Sequence, residues 1–227
     1  MPRGKLIVIE GGDGSGKATQ GALLLEFLKT KGKVGYFDFP QYGKTVFGDL
    51  TGRCLKGDYG DFLHISPYLS SLPYMLDRAS AKDDILAALG KGNVVCNRYV
   101  TSNLGFQAAK LKGKERRDII EFLEKGEYED IGLPRPDLVI YLEVPHRVAS
   151  AFVLKKDVRG YLGCEKAKDQ HEADAGYQKE VAKVYKELAK ERPGWRIISC
   201  VRNGKTLTPE AIHKQVLAVV KKHLNLK

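Results

Sequence analysis

The chain has 227 residues, 43% hydrophobic and 29% charged, a composition ordinary for a globular protein and a length that suits one domain over residues 1–227. No apolar run approaches the ~18 residues of a membrane span, so no membrane partner is expected. The net charge of +10 favours polyanionic partners, which leaves nucleotides, phosphates and nucleic acid to be weighed.

In chain order, KLIVIEG (5–11) is a short β-branched run ended by glycines, the pattern of a buried parallel strand. The opening residues lack the long apolar core and cleavage site of a signal peptide, so a cytoplasmic location is expected. From about Lys17 to Lys31 the apolar residues Leu24, Phe27 and Leu28 make a helical stripe, closed by Gly32. A second strand covers 34–40 and stops at Pro40. A long helical pattern spans 67–89, with a restart expected at Pro73. NVVCN (93–97) is a third strand, followed by helices near 101–111 and 114–125. Residues 136–144 form a fourth strand and 195–200 a fifth. Between these last two strands lie an expected helix near 145–156, a charged Gly-containing stretch at 155–170 and a helix at 171–192. Thr208 and Pro209 open a last helix as N-cap and first-turn residue.

Five apolar strands alternating with helices predict an α/β fold, a five-stranded parallel sheet with helices on both faces. Ligands of such sheets bind beyond the carboxyl ends of the strands. Residues 11–17, 39–40 and Asn97 all fall at that edge. The four cysteines, Cys54, Cys96, Cys164 and Cys200, form no C-x-x-C pair, so neither zinc nor a disulfide framework is expected.

The first strand runs into GGDGSGKAT (11–19), a glycine-rich turn that opens a helix. Backbone amides surround phosphate oxygens only where side chains do not intrude, and a helix N-terminus adds favourable partial charge. Gly11, Gly12, Asp13, Gly14, Ser15, Gly16, Lys17, Ala18 and Thr19 are therefore the ATP-side candidates, with Lys17 bridging the β- and γ-phosphates and Thr19 reaching the α-phosphate.

IEGGDGSGK with Thr19-Gln20, FP at 39–40, YMLDR at 74–78, NRYVTSNLGFQAAK at 97–110 and GLPRPDLVIYLEV at 132–144 occur in an order that resembles the thymidylate kinase family of P-loop nucleoside monophosphate kinases. The stretch 155–170 resembles that family's lid. The resemblance spans essentially the whole chain and implies ATP and dTMP as substrates, magnesium as the accompanying ion and a homodimer. It also implies residue roles. Asp13 would contact the acceptor's 3′-hydroxyl, and Phe39 and Pro40 would end the strand beside it. Tyr74 would stack on thymine. Arg78, at i+4 on the same helix face, would reach the base edge. Arg98 would hold the acceptor phosphate, Asn103 would read the base edge with Ser102 and Gln107 as helpers, and Phe106 would pack beneath the deoxyribose. The glycine loop has no arginine, so the catalytic cation would come from Lys155, Lys156 or Arg159 of the lid, with Arg159 favoured. Read without the family, Tyr74 is an ordinary core residue and Arg78 a surface ion pair.

Three residues depart from the family pattern. Ala18 stands where the loop has a Ser or Thr hydroxyl, Asn97 replaces the aspartate of Asp-Arg-Tyr, and Gln41 follows Phe-Pro where many members have arginine. The first two weaken the expected magnesium site, leaving Asn97 as an indirect protein contact, although magnesium takes most of its ligands from waters and phosphates. Lys44 is placed to offset part of the charge lost at Gln41. Two alternatives keep the fold: a nucleotide-binding pseudo-kinase, or a kinase for another deoxynucleoside monophosphate. A nucleic-acid-binding module explains none of the ordered motifs, and no aromatic–basic interleaving marks a strand-binding groove.

Overall fold

A computed structural model describes residues 3–145 and 174–226. The proposed lid with Lys155, Lys156 and Arg159, and all but the first residue of the helix expected at 145–156, lie outside the described residues.

Strands β1 (Leu6–Gly11), β2 (Val34–Asp38), β3 (Asn93–Asn97), β4 (Leu138–Glu143) and β5 (Trp195–Ser199) form one sheet in the order β2-β3-β1-β4-β5. All four pairings are parallel, as the alternation with helices predicts. Successive strand side chains point to opposite faces, and the sequence is apolar on both. Leu6, Val8, Val94, Cys96, Val139 and Tyr141 belong to one core, packed with Ile85, Leu104, Ile119, Leu123, Val181 and Tyr185. Ile7, Ile9, Val95, Leu138, Ile140 and Leu142 belong to the other, packed with Leu24, Leu28, Val216 and Val220.

Helix α1 (Lys17–Lys29) follows β1 directly. Helix α2 (Val46–Lys56) was not expected. Thr45 caps its start by accepting from the Gly48 amide at 2.8 Å, and Gly57 ends it in the left-handed region. The helical pattern expected at 67–89 is two helices, α3 (Pro67–Ser80) and α4 (Lys82–Lys91), broken at Ala81 rather than at Pro73. Pro73 lies buried inside α3 and starts nothing new. Helix α5 (Val100–Phe106) is shorter than expected, continuing only as a 3₁₀ turn at Ala108–Lys110. Helix α6 (Gly113–Glu124) runs into a π turn at Lys125–Asp130. Helix α7 (Ala175–Glu191) starts at Asp174, whose carboxylate accepts from the Tyr177 amide. A small unexpected hairpin, β6 (Val201–Arg202) with β7 (Lys205–Thr206), precedes α8 (Pro209–Leu224). Thr208 caps α8 as its position predicts, accepting from Ala211.

Helices α5 and α7 approach closely at Gly105, where an added Cβ would lie 2.5 Å from Tyr185 Cζ. Tyr185 stacks on Tyr141 of β4 at 4.8 Å, so this contact ties both helices to the sheet. Among the described residues no helix is long and apolar enough to cross a membrane. Cys54, Cys96 and Cys200 are buried free thiols.

Candidate active site

The carboxyl ends of β1, β2 and β3 open into a cleft of about 670 Å³. The loop after β1 forms one wall. Gly14 and Gly16 have left-handed backbones (φ 77 and 86), a conformation that favours glycine and turns the chain into α1. Residues 13–18 line the cleft, and Gly11 and Gly12 carry the loop into it. Thr19 is exposed on the first turn of α1 and is not among the lining residues. Lys17 is buried and donates to the carbonyls of Gly11 at 2.9 Å and Gly12 at 2.7 Å. Its ammonium therefore sits over the loop that would carry the phosphates. The Ser15 hydroxyl is buried in the same loop with no hydrogen-bond partner among the described residues.

Every residue named for the acceptor side lines this cleft: Asp13, Phe39, Pro40, Tyr74, Arg78, Arg98, Ser102, Asn103, Phe106 and Gln107. Arg98 follows β3 with a left-handed backbone (φ 64), a strained state that typically costs about 1–3 kcal/mol and collects at functional sites. Its amide donates to the Ile9 carbonyl at 3.1 Å, which anchors it to β1. Its guanidinium pairs with Asp13 and lies 5.1 Å from the centre of the Phe106 ring. Burial works against the Arg98 charge, but Asp13 and further neighbours more than offset it and hold the pKa above the ordinary arginine value. The two residues assigned to the acceptor's phosphate and hydroxyl thus meet each other across the site.

Arg78 is not the surface ion pair of its family-free reading. It is 2% exposed, and its Nε and Nη2 donate to Glu127 at 2.5 and 2.7 Å. Burial opposes its charge and Glu127 outweighs that effect, so its pKa is raised. Asn103 Nδ2 donates to the same Glu127 at 3.0 Å and to the Ser71 carbonyl at 3.4 Å. Glu127 is fully buried and was missed by sequence reasoning, because it sits in a charged run (KGEYED) that reads as solvent-facing. Tyr74 packs on Phe62 at 6.2 Å beside Leu55. Gln107 is locked to Ser70, whose hydroxyl donates to it at 2.8 Å.

Glu10 was also missed. It is fully buried at the centre of the sheet and accepts from the Tyr99 amide and from Thr101, Ser102 and Tyr185 hydroxyls. It fixes the start of α5 and hence Ser102 and Asn103. Its place as the one charge in the apolar run LIVIEG was the available signal.

Of the three departures, Ala18 and Asn97 line the cleft and Gln41 does not. Gln41 binds Asp77 through its amide at 2.8 Å, in a network that Thr45 joins at 2.6 Å. Lys44 is exposed and outside the lining set. Asn97 Nδ2 donates to Asp38 Oδ1 at 2.7 Å across the β2–β3 pair, where the two residues are in register. Burial raises the Asp38 carboxyl above its usual range, against the lowering effect of that hydrogen bond and of Arg98, Lys44 and Lys17. Asp38 also lines the cleft and was missed. The strand-end rule that drew attention to Asn97 applied equally to it. Among the described residues no group of three or more His, Cys, Asp or Glu side chains is arranged around a metal. Asp38 and Asn97 are instead a pair of hard oxygen donors, the type magnesium prefers.

The family model described as thymidylate kinase matches residues 9–214. The thymidylate kinase of Mycobacterium tuberculosis is 34% identical over 192 residues, covering 84% of this chain and 87% of that protein. A probable thymidylate kinase of Pyrococcus horikoshii is 33% identical over 226 residues, covering 98% of both. Among solved structures, the thymidylate kinase of Candida albicans aligns over 98% of this chain and 93% of its own, with a TM-score of 0.73 and 24% identity. That of Ehrlichia chaffeensis aligns over 96% and 100%, with a TM-score of 0.67 and 19% identity. These two likenesses concern the fold.

Proposed function

Because the chain belongs to the thymidylate kinase family, we propose that it transfers the γ-phosphate of ATP to dTMP, giving dTDP and ADP. One observation carries the reading: residues 13–18 of the glycine loop and all ten acceptor-side residues line a single cleft. An oxygen of the dTMP phosphate attacks the γ-phosphorus, and the bond to the β,γ-bridging oxygen breaks. The attacking oxygen is already anionic, so no protein base is needed, and the protein's work is positioning and charge stabilisation.

Lys17 and the loop amides bind the ATP phosphates. Lys17 exchanges its Gly11 and Gly12 carbonyls for phosphate oxygens, a stronger, charge-assisted contact. Arg98 binds the acceptor phosphate, and Asp13 takes the 3′-hydroxyl while holding Arg98 in place. Magnesium, when bound, neutralises the β- and γ-phosphates. The pair Asp38–Asn97 fits it, since both are oxygen donors on the cleft wall and the Asn97 Oδ1 has no other partner among the described residues. Lid cations, Arg159 first, are proposed to cover the transferring group.

Base choice follows from hydrogen-bond polarity. Glu127 occupies Nε and Nη2 of Arg78, leaving Nη1 as a donor. It also takes the amide nitrogen of Asn103, leaving the carbonyl oxygen as an acceptor. Thymine presents the complement, an O4 acceptor beside an N3–H donor. Cytosine presents the reverse and would set donor against donor. Phe106 closes the site beneath the sugar.

A homodimer is part of the proposal. Ile65, Leu69, Leu72 and Leu76 are 40–60% exposed at spacings of four, three and four along and just before α3, an apolar stripe suited to a second copy.

The test is ADP release measured with each deoxynucleoside monophosphate across a magnesium series. Turnover fastest with dTMP is expected. Absence of turnover with every acceptor, despite measurable ATP binding, would overturn the transfer reading in favour of a nucleotide-binding protein. Faster turnover with dCMP or dGMP would overturn the base assignment.

A further inference from the structure

We propose that Asp38 supplies the carboxylate through which this site holds the divalent cation that accompanies ATP, with Asn97 contributing a neutral oxygen beside it. The inference rests on the phosphoryl-transfer reading and goes beyond it, because nothing in the family pattern assigns a metal role to the end of β2.

Three observations converge. First, the parallel register sets Asp38 directly opposite Asn97 at the carboxyl edge of the sheet. The two side chains are joined by the 2.7 Å bond from Asn97 Nδ2 to Asp38 Oδ1. Second, that bond decides which way the Asn97 amide points. Its nitrogen faces Asp38, so its oxygen faces away. The residue is 7% exposed, and this Oδ1 has no hydrogen-bond partner among the described residues. A buried acceptor without a partner is unfavourable, and a small movement of the side chain toward the cleft would let a water of a hydrated cation satisfy it. Third, both residues line the cleft together with Lys17 and Ala18. A cation serving the ATP phosphates must sit close to that part of the loop.

The pair thus redistributes what one aspartate does elsewhere in the family pattern. Magnesium needs only one or two carboxylates, often through water, and takes the rest of its shell from phosphates and solvent. A carboxylate on the neighbouring strand meets that need, and the loss at position 97 is offset one strand away. Ala18 removes a hydroxyl from the loop, which makes the strand-end carboxylate more important here.

The test uses Mn²⁺ as an EPR-visible stand-in for magnesium, titrated into the full chain with ADP and dTMP. Asp38→Asn should weaken Mn²⁺ binding in that complex about tenfold or more, since it removes one charged contact. ADP binding without divalent cation should not weaken, since the variant removes a negative charge from beside the phosphates. The exchange variant D38N/N97D returns a carboxylate to the strand pair and should recover most of the Mn²⁺ affinity. Wild-type Mn²⁺ affinity in D38N would overturn the proposal, as would a folded exchange variant with no recovery. A measurement on the unaltered protein keeps the idea testable if D38N does not fold. Fe²⁺ with ascorbate and peroxide, in the presence of ADP, should cleave the chain near residues 38 and 97, and magnesium should suppress the cuts. Cleavage elsewhere only would overturn the proposal. Turnover with dTMP is scored separately: an active enzyme whose D38N variant keeps its Mn²⁺ affinity refutes this inference alone, whereas failure with every acceptor refutes the transfer reading.

Discussion

At Glu127 one buried carboxylate holds two of the side chains that line the cleft. It takes two donors of Arg78 and the amide nitrogen of Asn103, with both Arg78 and Glu127 sealed from solvent. Removing one partner of such a pair leaves an uncompensated buried charge, at about 3–5 kcal/mol. Glu127→Gln keeps the shape and loses the charge, so a loss near the lower end, about 3 kcal/mol, is expected in thermal or urea denaturation. The same substitution frees the Asn103 amide to rotate. The dTMP-to-dCMP ratio of kcat/KM should therefore fall by about tenfold, and the loss should appear mainly in KM for dTMP. Lower stability with an unchanged base ratio would reduce Glu127 to a structural role.

At the scale of elements, the site depends on how α5 leaves β3. Arg98 turns the chain in a left-handed conformation, Glu10 collects the first-turn amide and hydroxyls, and α7 presses against α5 at Gly105. A methyl there would meet the Tyr185 ring, which is buried and stacked on Tyr141. Overpacking of this kind costs about 1–3 kcal/mol, partly offset by the better helix propensity of alanine. Gly105→Ala should destabilise the fold by about 1–2 kcal/mol and lower turnover by displacing Ser102 and Asn103. Denaturation midpoints and a single-acceptor rate measurement check both, and a neutral or stabilising effect would show that α7 yields easily.

At the scale of the molecule, the sheet order β2-β3-β1-β4-β5 brings three strand ends to one edge, so residues far apart in sequence share one cleft. The apolar stripe on α3 lies on the outside of the same body. If it is the proposed dimer surface, Leu72→Glu places a charge in its middle and should shift the protein to monomer in light scattering at micromolar concentration. A dimer that survives both Leu72→Glu and Leu69→Glu would show that the stripe is not the contact.

The sequence alone determined the strands, because a buried parallel strand must be apolar on both faces and 5–11, 93–97 and 136–144 are. It also marked the glycine turn before Lys17, because the left-handed backbones of Gly14 and Gly16 favour glycine, and it named ten residues that the fold brings to one cleft. Helix α2 escaped it because Gly48, Thr51 and Gly52 make up most of its buried face, although Thr45 and Gly57 stood at its ends. The break at Ala81 escaped it because the apolar pattern continues across the junction. The partners of the charged residues were decided only by tertiary structure. Glu127 reads as solvent-facing until the π turn buries it against Arg78, and Asp38 reads as a strand-end residue until the parallel register sets it beside Asn97. Periodicity reports which face of an element is buried, but it carries no information about which charge on another element will be waiting there.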